Sequence, residues 1–217
     1  MDPNCVFCRI VAHEEPATYR YEDDEAVVFD NVLDWTRVMM LAVPREHKSQ
    51  TDLWSDLGVV GRVAMEMGRE HAPEGFRIIS NFGHYGLQSQ AHGHLHILSE
   101  TESILEPRGA TAQSIVDVVR APERELSRTE HAVVYDERHL VREAPMTALA
   151  VPAQGELSQV ELWANIGPFG ADLTAVGWEA SAQGFRLLSN FPPEAALPGG
   201  EKGHVHVLAG APLGHYA

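Results

Sequence analysis

The sequence is poor in cysteine and has no long apolar run, and each shortage excludes a class of protein. Cys5 and Cys8 are the two cysteines among 217 residues. They are too few and too close together for the disulfide framework of a secreted domain. No apolar run approaches membrane-spanning length, and the N-terminal residues have neither the basic nor the apolar stretch of a signal peptide. We therefore expect a cytoplasmic protein with no membrane partner.

Positive charge is also scarce, since 16 Lys and Arg face 31 Asp and Glu and the net charge is -15. Binding to nucleic acid relies on Lys and Arg against phosphates, so a nucleic-acid partner is not expected. A free nucleotide is still compatible, because a few backbone amides can hold one phosphate. With 44% hydrophobic residues, the chain can build one large or two small packed domains.

Three histidines alternate with small or apolar residues in segment 92–98, His-Gly-His-Leu-His-Ile-Leu. Alternate residues of a strand share a face, so we expect a half-buried strand with His92, His94 and His96 on one side. Imidazole titrates near neutral pH and can act as a nucleophile, a proton shuttle or a metal ligand. Two simpler interpretations are solvent-facing histidines on an edge strand and a plain three-histidine zinc site.

The apolar pattern of the first hundred residues predicts a small α+β unit. Apolar residues recur at three- and four-residue steps from Thr51 to His71, which predicts one amphipathic helix packed on a sheet. A short opening helix is expected over 5–13. Strands are expected over 19–21, 26–29, 38–43, 76–80 and 94–98.

The sequence then repeats itself, which indicates an internal duplication. Four segments return in the same order: 25–30 as 131–136, 41–44 as 149–152, 75–82 as 184–191, and 94–98 as 204–208. Residues 106–109, Glu-Pro-Arg-Gly, read as a linker. We therefore expect two domains of the same fold, over 1–108 and 109–217.

The second copy is not chemically equivalent to the first. Lys202 stands in the place of His92, and Gly155 stands in the place of His47. No cysteine occurs in the second half. We interpret the second half as a degenerate copy with a structural role. The alternative is a second working site that relies on His204, with His206 behind it.

The pattern His-apolar-His-apolar-His-apolar-apolar resembles the histidine triad family of nucleotide hydrolases and transferases. Other segments are similar to that family in the same order: Val-Phe-Cys-Arg-Ile at 6–10, Glu-Asp-Asp at 22–24, Phe-Asp-Asn at 29–31, Pro-Arg-Glu-His at 44–47, Asn-Phe-Gly at 81–83 and Gln-Ser at 88–89. The resemblance implies an antiparallel sheet with a packed helix, in domains that pair as homodimers. Here the partner is fused in cis, so we expect an intramolecular pseudo-dimer that is a monomer in solution, with a homodimer as the alternative.

The resemblance also implies a set of site residues for a small-molecule nucleotide substrate. His94 matches the nucleophile that attacks the α-phosphorus, and His96 would hydrogen-bond the phosphate. The other implied positions are Asn81, Gln88 and Ser89 around the phosphate or leaving group, Asn31 at the ribose, and Phe7, Ile10, Phe29 and Val32 in an apolar purine pocket. Simple core packing is the alternative for the last four.

Cys5, Cys8, His47 and His92 form a four-ligand set suited to tetrahedral zinc, and some family members bind zinc with this combination. With no open coordination position, the ion would be structural. The alternatives are a redox Cys-x-x-Cys pair and two unrelated thiols with a surface histidine.

The leading functional hypothesis is hydrolysis of nucleoside phosphoramidates or dinucleoside polyphosphates through a covalent nucleotidyl-His94. The alternatives are nucleotidyl transfer, a nucleotide-binding scaffold, and a metalloenzyme with zinc on all three histidines. The chain departs from the family pattern at three places: Thr36-Arg37 stand where the family has Gly-His, Leu87 interrupts a loop of small residues, and Ser99-Glu100 stand in place of glycines. Its C-terminal tail, with His215 and Tyr216, could reach the first site across the pseudo-dyad.

Overall fold

The computed structural model of the chain describes residues 2–99, 114–138, 144–193 and 200–214. Within these ranges, ten strands form a single antiparallel sheet and helices pack on it. The α+β class expected from the sequence is confirmed. The linker at 106–109 and the tail residues His215 and Tyr216 lie outside the described residues. No helix in the described ranges is both long enough and apolar enough to cross a membrane.

The elements of the first half begin with a short helix and end with the strand after the histidine segment. They are α1 (Val6–Val11), β1 (Tyr19–Glu22), β2 (Ala26–Asp30), β3 (Met39–Pro44), α2 (Gln50–Ser55), α3 (Gly58–His71), β4 (Phe76–Gly83) and β5 (Leu95–Ser99). The second half follows the same order, with a 3₁₀ turn at Pro122–Arg124. Its elements are α4 (Ile115–Val119), β6 (Glu125–Arg128), β7 (Ala132–Asp136), β8 (Met146–Pro152), α5 (Gln159–Ala164), α6 (Gly167–Ala180), β9 (Gly184–Phe191) and β10 (Val205–Ala209).

The two halves meet edge to edge at the middle of the sheet. The strand order is β1-β2-β3-β5-β4-β9-β10-β8-β7-β6, which reads as one five-strand set followed by its mirror order. Strand β4 pairs with β9 from Phe76↔Phe191 through to Gly83↔Gly184. This pairing joins the two inner strand edges in one continuous ladder.

Aromatic side chains pack across this joint. The Phe76 and Phe191 rings stack at 4.4 Å, and the Phe82 and Phe185 rings stack at 4.3 Å. Each such pair is worth about 0.5–1.5 kcal/mol beyond its buried area. Because the two pairs occupy opposite ends of the ladder, they reinforce the same register at both ends.

The two faces of the sheet have different covers. One face packs against α2, α3, α5 and α6 around the main apolar core. The other face carries smaller clusters under α1 and α4, and between them a central cluster that contains Ile79 and Leu188. The histidines of segment 92–98 belong to this second face, because His96 pairs with Ile79.

The helix expected over 51–71 is two helices, so that prediction is wrong in its continuity. Ser49 caps α2 by accepting a hydrogen bond from the Asp52 backbone N–H, and Asp56 then leaves the helical region at φ -142° and ψ 52°. Asp and the following Gly58 have low helix propensity, which favours a break there. Leu57 at the break is fully buried, so the apolar spacing runs through it and hides the interruption.

Candidate active site and metal centre

The three histidines of segment 92–98 lie in the interior and not at an edge. Strand β5 runs between β3 and β4, and His92, His94 and His96 are 0%, 2% and 5% exposed. The interpretation as solvent-facing histidines on an edge strand is therefore wrong. The expected half-buried strand is also wrong, because every residue of β5 is buried, and Phe7 of α1 lies against the rings of His92 and His94. The ladder begins at Leu95, so the first two histidines lie on the approach to the strand.

A backbone carbonyl fixes the tautomer of His94. The Nδ1 atom lies 2.8 Å from the His92 carbonyl oxygen. A carbonyl oxygen only accepts, so Nδ1 carries the proton. The lone pair is therefore on Nε2, the ring atom available to attack an electrophile.

Burial keeps these imidazoles neutral. It lowers the pKa of His94 below its ordinary value. It also lowers the pKa of His96 well below that value, with smaller contributions from the neighbouring charges of His94 and Arg186. The His94 and His96 rings meet edge to face at 4.9 Å. The site thus offers two adjacent uncharged rings near neutral pH.

Gln50, which the sequence analysis missed, clamps the backbone of His94. Its Oε1 accepts from the His94 N–H at 2.9 Å, and its Nε2 donates to the His94 carbonyl at 2.9 Å. The same amide donates to Ser80 Oγ at 3.1 Å. These bonds replace the ladder partners that His94 lacks before the strand begins. The one available signal was the recurrence of a glutamine, as Gln159, at the matching position of the second half.

The structure brings together three of the four residues expected in an apolar pocket. Phe7, Ile10 and Phe29 belong to one buried cluster under α1. The Phe7 ring lies 5.7 Å from the Phe29 ring and meets the His94 ring edge-on at 5.2 Å. Val32 is 98% exposed and lies outside this cluster.

Asn31 follows β2 at the rim of the same region. Its Oδ1 accepts from the Leu33 N–H at 3.2 Å, and its own N–H donates to the Met39 carbonyl at 2.8 Å. A cavity of about 280 Å³ borders Asn31 on the side of Arg37 and His71. The partly buried Asn31 side chain is therefore held in a turn beside open space.

Gln88 and Ser89 lie in the loop between β4 and β5. Gln88 Oε1 accepts from the Gly83 N–H at 3.0 Å, and its Nε2 donates to the Gln90 carbonyl at 2.9 Å. Leu87 adopts φ 63°, which a β-branched or bulky residue rarely tolerates. Ser89 is exposed. Gln88 thus shapes the loop that presents Ser89.

Asn81 is 5% exposed and lies on the histidine face. Its Oδ1 accepts from Arg186 Nε, across the joint, at 2.8 Å. The reciprocal bond runs from Arg77 Nε to Asn190 Oδ1 at 2.9 Å. Two buried arginines therefore cross between the halves in opposite directions.

Cys5, Cys8, His47 and His92 form a compact cluster between α1 and the approach to β5, with all ligand atoms within 4.8 Å of one another. Cys8 Sγ lies 3.1 Å from His47 Nδ1, and both thiols lie 3.6 Å from His92 Nδ1. Zn–S bonds of about 2.3 Å and Zn–N bonds of about 2.0–2.1 Å imply roughly 3.6 Å between S and N in a tetrahedron. The spacing of the donor set therefore fits zinc.

The surroundings of the cluster support a metal and disfavour a redox pair. His92 Nε2 donates to the Pro44 carbonyl at 3.0 Å, which leaves its Nδ1 lone pair facing the thiols. Burial lowers the pKa of His92 to about 4, so the ring is neutral and able to ligate. Burial raises the pKa of the Cys8 thiol, the opposite of what a reactive redox cysteine needs. His94 and His96 are not in the cluster, which disfavours zinc on all three histidines.

An ion-pair cluster occupies the matching place in the second half. Asp117 is the third residue of α4, as Cys8 is of α1. Lys202 Nζ donates to Asp117 Oδ1 at 2.6 Å and to Glu156 Oε1 at 3.3 Å. The ammonium group thus ties the helix to the histidine segment there, without any metal ligand of the first set.

Carboxylates fill the histidine site of the second half. Glu137 follows β7 as Asn31 follows β2, and its Oε2 lies 2.8 Å from His206 Nδ1, with both residues fully buried. His204 Nδ1 faces the Lys202 carbonyl at 2.8 Å and Glu201 Oε1 at 3.7 Å. His206 is therefore held by a buried carboxylate, whereas His204 makes the same Nδ1 contact to a backbone carbonyl as His94 does.

Comparison with known proteins places these features in one family. Residues 4–107 match the family model described as the scavenger mRNA decapping enzyme C-term binding family. The 14 kDa zinc-binding protein of Brassica juncea is 31% identical over 101 residues, which are 43% of this chain and 89% of that protein. Adenylylsulfatase HINT1 of Arabidopsis thaliana is 30% identical over 105 residues, 45% of this chain and 71% of that protein.

Among solved structures, a Zn-bound histidine triad family protein from Mycobacterium smegmatis is similar at 30% identity and a TM-score of 0.40, over 46% of this chain and 77% of that one. The fold and the buried histidine segment define an α+β protein with a histidine-based site. The sequence relatives, matched over most of their own length, show that the chain belongs to the histidine triad family.

Proposed function

We propose that this protein hydrolyses nucleoside 5'-phosphoramidates or dinucleoside polyphosphates at the α-phosphate, through a covalent nucleotidyl intermediate on His94. The observation that carries the proposal is the buried His94 ring with its proton held on Nδ1 and its lone pair on Nε2. A neutral imidazole attacks without first losing a proton, and its bond to phosphorus is labile. Because the Arabidopsis relative is named an adenylylsulfatase, adenylyl sulfate is a third substrate to test.

The reaction takes two displacements. In the first, the His94 Nε2 lone pair attacks the α-phosphorus, a nitrogen–phosphorus bond forms, and the bond from phosphorus to the leaving group breaks. An amine leaving group takes up a proton from solvent as it departs. In the second, water attacks the phosphorus, the bond to Nε2 breaks, the nucleoside monophosphate leaves, and the water proton passes to solvent.

The neighbouring polar groups serve the phosphate. We assign His96, beside the nucleophile, to hydrogen bonding with a phosphate oxygen, and Asn81 to orienting the phosphate. Ser89 donates to a phosphate oxygen or to the leaving group, and Gln88 holds the loop that carries it. Donors of this kind count most where negative charge grows in the transition state.

The base and ribose are assigned to the region under α1. Phe7, Ile10 and Phe29 supply apolar surface next to the His94 ring, and Asn31 binds ribose hydroxyls at the rim. Val32 is assigned to the base through its exposed side chain, which a bound purine would cover.

We propose that Cys5, Cys8, His47 and His92 hold one structural zinc ion. Four protein ligands leave no open position, so the metal supplies a crosslink between α1 and the histidine segment. The Lys202–Asp117 contact supports this role, because it makes the same tie in the second half without a metal. The Brassica relative is named as a zinc-binding protein, which is consistent with the assignment.

We propose that residues 1–108 and 109–217 are two domains of this family, of which the second is catalytically silent. Glu137 holds His206, and Lys202 stands where His92 stands in the first half. The joint that two chains of a homodimer would form is already made between β4 and β9. The chain is therefore expected to be a monomer.

The test is release of AMP from an adenosine phosphoramidate, a diadenosine polyphosphate and adenylyl sulfate. The wild type is compared with His94→Asn and with its matched control His204→Asn. Loss in the first variant alone supports one histidine nucleophile and a silent second half. No turnover of any of the three by the wild type contradicts the proposal and favours a nucleotide-binding scaffold.

A further inference from the structure

Arg186 belongs to the second half of the chain, yet its side chain ends in the first site. It lies on β9, is 1% exposed, and is the Cα partner of Asn81 on β4. Partners in an antiparallel ladder project their side chains to the same face. That face carries His96, because Ile79, two residues before Asn81, is its Cα partner.

Hydrogen bonds to Arg186 fix which way the Asn81 amide faces. Arg186 Nε donates to Asn81 Oδ1 at 2.8 Å, and its Nη2 donates to the Gly214 carbonyl at 2.9 Å. A guanidinium has donors and no acceptor, so the amide oxygen of Asn81 must be the atom that faces it. The NH₂ group of Asn81 is then turned away from Arg186.

The second half shows where such an NH₂ group points. Asn190 Oδ1 accepts from Arg77 Nε at 2.9 Å, and Asn190 Nδ2 lies 3.5 Å from His206 Nε2. With its oxygen held by the arginine across the joint, the amide turns its NH₂ toward the last histidine of the segment. The bond from Arg186 to Asn81 Oδ1 matches the bond from Arg77 to Asn190 Oδ1, and it lies on the face that carries His96.

We propose that Arg186 is a positioning residue of the first site, which holds Asn81 with its NH₂ group toward the α-phosphate and places a positive charge beside that phosphate. This inference rests on the proposed function. Phosphate oxygens only accept hydrogen bonds, so an amide turned the other way would present its oxygen to an anion. Arg186 makes the productive orientation the favoured one before substrate arrives.

The charge of Arg186 also reaches the histidines. It contributes, after burial and His94, to the lowered pKa of His96. A positive charge close to His96 also attracts an anion bound next to that ring. The second half therefore contributes Arg186 to the first site from across the joint.

Arg77 is the matched control. It is equally buried at 1% exposure and makes the same bond across the same joint, but it serves Asn190 in the silent half. Truncating either arginine removes one bond across the joint and leaves one asparagine oxygen without it. Only Arg186→Met should also disturb an Asn amide that meets substrate.

The test measures kcat and KM for AMP release by the wild type, Arg186→Met, Arg186→Gln and Arg77→Met. Arg186→Met should lower kcat about 10- to 100-fold, the usual cost of losing a partner that orients a site residue. Arg77→Met should stay within about twofold of the wild type despite a similar loss of melting temperature. Arg186→Gln keeps a donor for Asn81 Oδ1 without the charge, and should recover part of the lost kcat.

A double-mutant cycle checks that Arg186 acts through Asn81. Adding Arg186→Met to Asn81→Ala should cost little beyond Asn81→Ala alone, because the amide to be oriented is already gone. Equal losses of kcat in Arg186→Met and Arg77→Met, or fully additive losses in the cycle, would overturn the inference.

Failure of the proposed function is separable from failure of this inference. If the wild type releases no AMP from any substrate, AMP affinity measured by calorimetry replaces kcat. Weaker AMP binding by Arg186→Met than by Arg77→Met, by about tenfold, then supports the positioning role for the phosphate. Equal affinities of the two variants, or no AMP binding by the wild type, overturn it.

Discussion

Replacing Gln50 with Leu, compared with the same change at Gln159, tests whether the bonds to the His94 backbone support catalysis as well as stability. The substitution leaves the His94 N–H and carbonyl, which Gln50 now satisfies at 2.9 Å each, without these partners in the interior. Each unsatisfied buried backbone group costs about 1–3 kcal/mol, so we expect a loss of about 2–6 kcal/mol in the free energy of unfolding. Gln159→Leu is the control. It removes the partner of the His204 N–H, while the His204 carbonyl keeps Ser189 Oγ at 3.1 Å, so about 1–3 kcal/mol is expected.

The two variants should differ in activity much more than in stability. Gln50→Leu frees the backbone that aims the His94 ring, and kcat for AMP release should fall about 10- to 100-fold. Gln159→Leu should keep the wild-type kcat at temperatures where it stays folded. Urea unfolding gives the first quantity and steady-state kinetics the second. Wild-type kcat in Gln50→Leu, or an equal loss in Gln159→Leu, would refute the reasoning.

Three further predictions concern the metal, acid stability and assembly. Metal analysis should find one zinc per chain, lost in Cys8→Ser, and chelation should lower the melting temperature. Lys202→Met should leave the zinc content unchanged and change the melting temperature little, since its ion pairs are partly exposed. The free energy of unfolding should fall as pH drops below about 6.5, because the unfolded chain then binds protons that buried His96, with its lowered pKa, does not. A urea series in which His96→Asn has the same pH slope as the wild type would contradict this. Light scattering should give the mass of one chain. The mass of two chains would show that chains associate even though β4 and β9 already pair within each chain.

The local spacing of apolar residues was enough to predict most of the strands and helices. The buried run before Pro44 became a central strand, and the four repeated segments correspond to strands in both halves. The pattern failed where one buried residue bridged two helices, at Leu57, because apolar spacing records burial and not backbone continuity. It also could not show that Phe7 of α1 packs against the rings of His92 and His94, since that contact is made between residues far apart in the chain.

The candidate site divides in the same way. The cluster of Cys5, Cys8, His47 and His92 could be predicted, because cysteine and histidine have few structural uses in such spacings and the structure brings the four together. The roles of Gln50 and Arg186 could not be predicted from the sequence. Each acts through hydrogen bonds to residues far away in the chain, which residue type alone does not indicate. A glutamine in the first turn of a helix and an arginine in a strand are common in any sequence.

The most direct test of the central claim is a single-turnover reaction of the protein with an adenosine phosphoramidate, quenched in base and analysed by peptide mass spectrometry. The account predicts an adenylyl adduct on His94 that is absent from His94→Asn and retained in His204→Asn. Turnover by the wild type with an adduct on another residue, or with His94→Asn as active as the wild type, would contradict the assignment of His94 as the nucleophile.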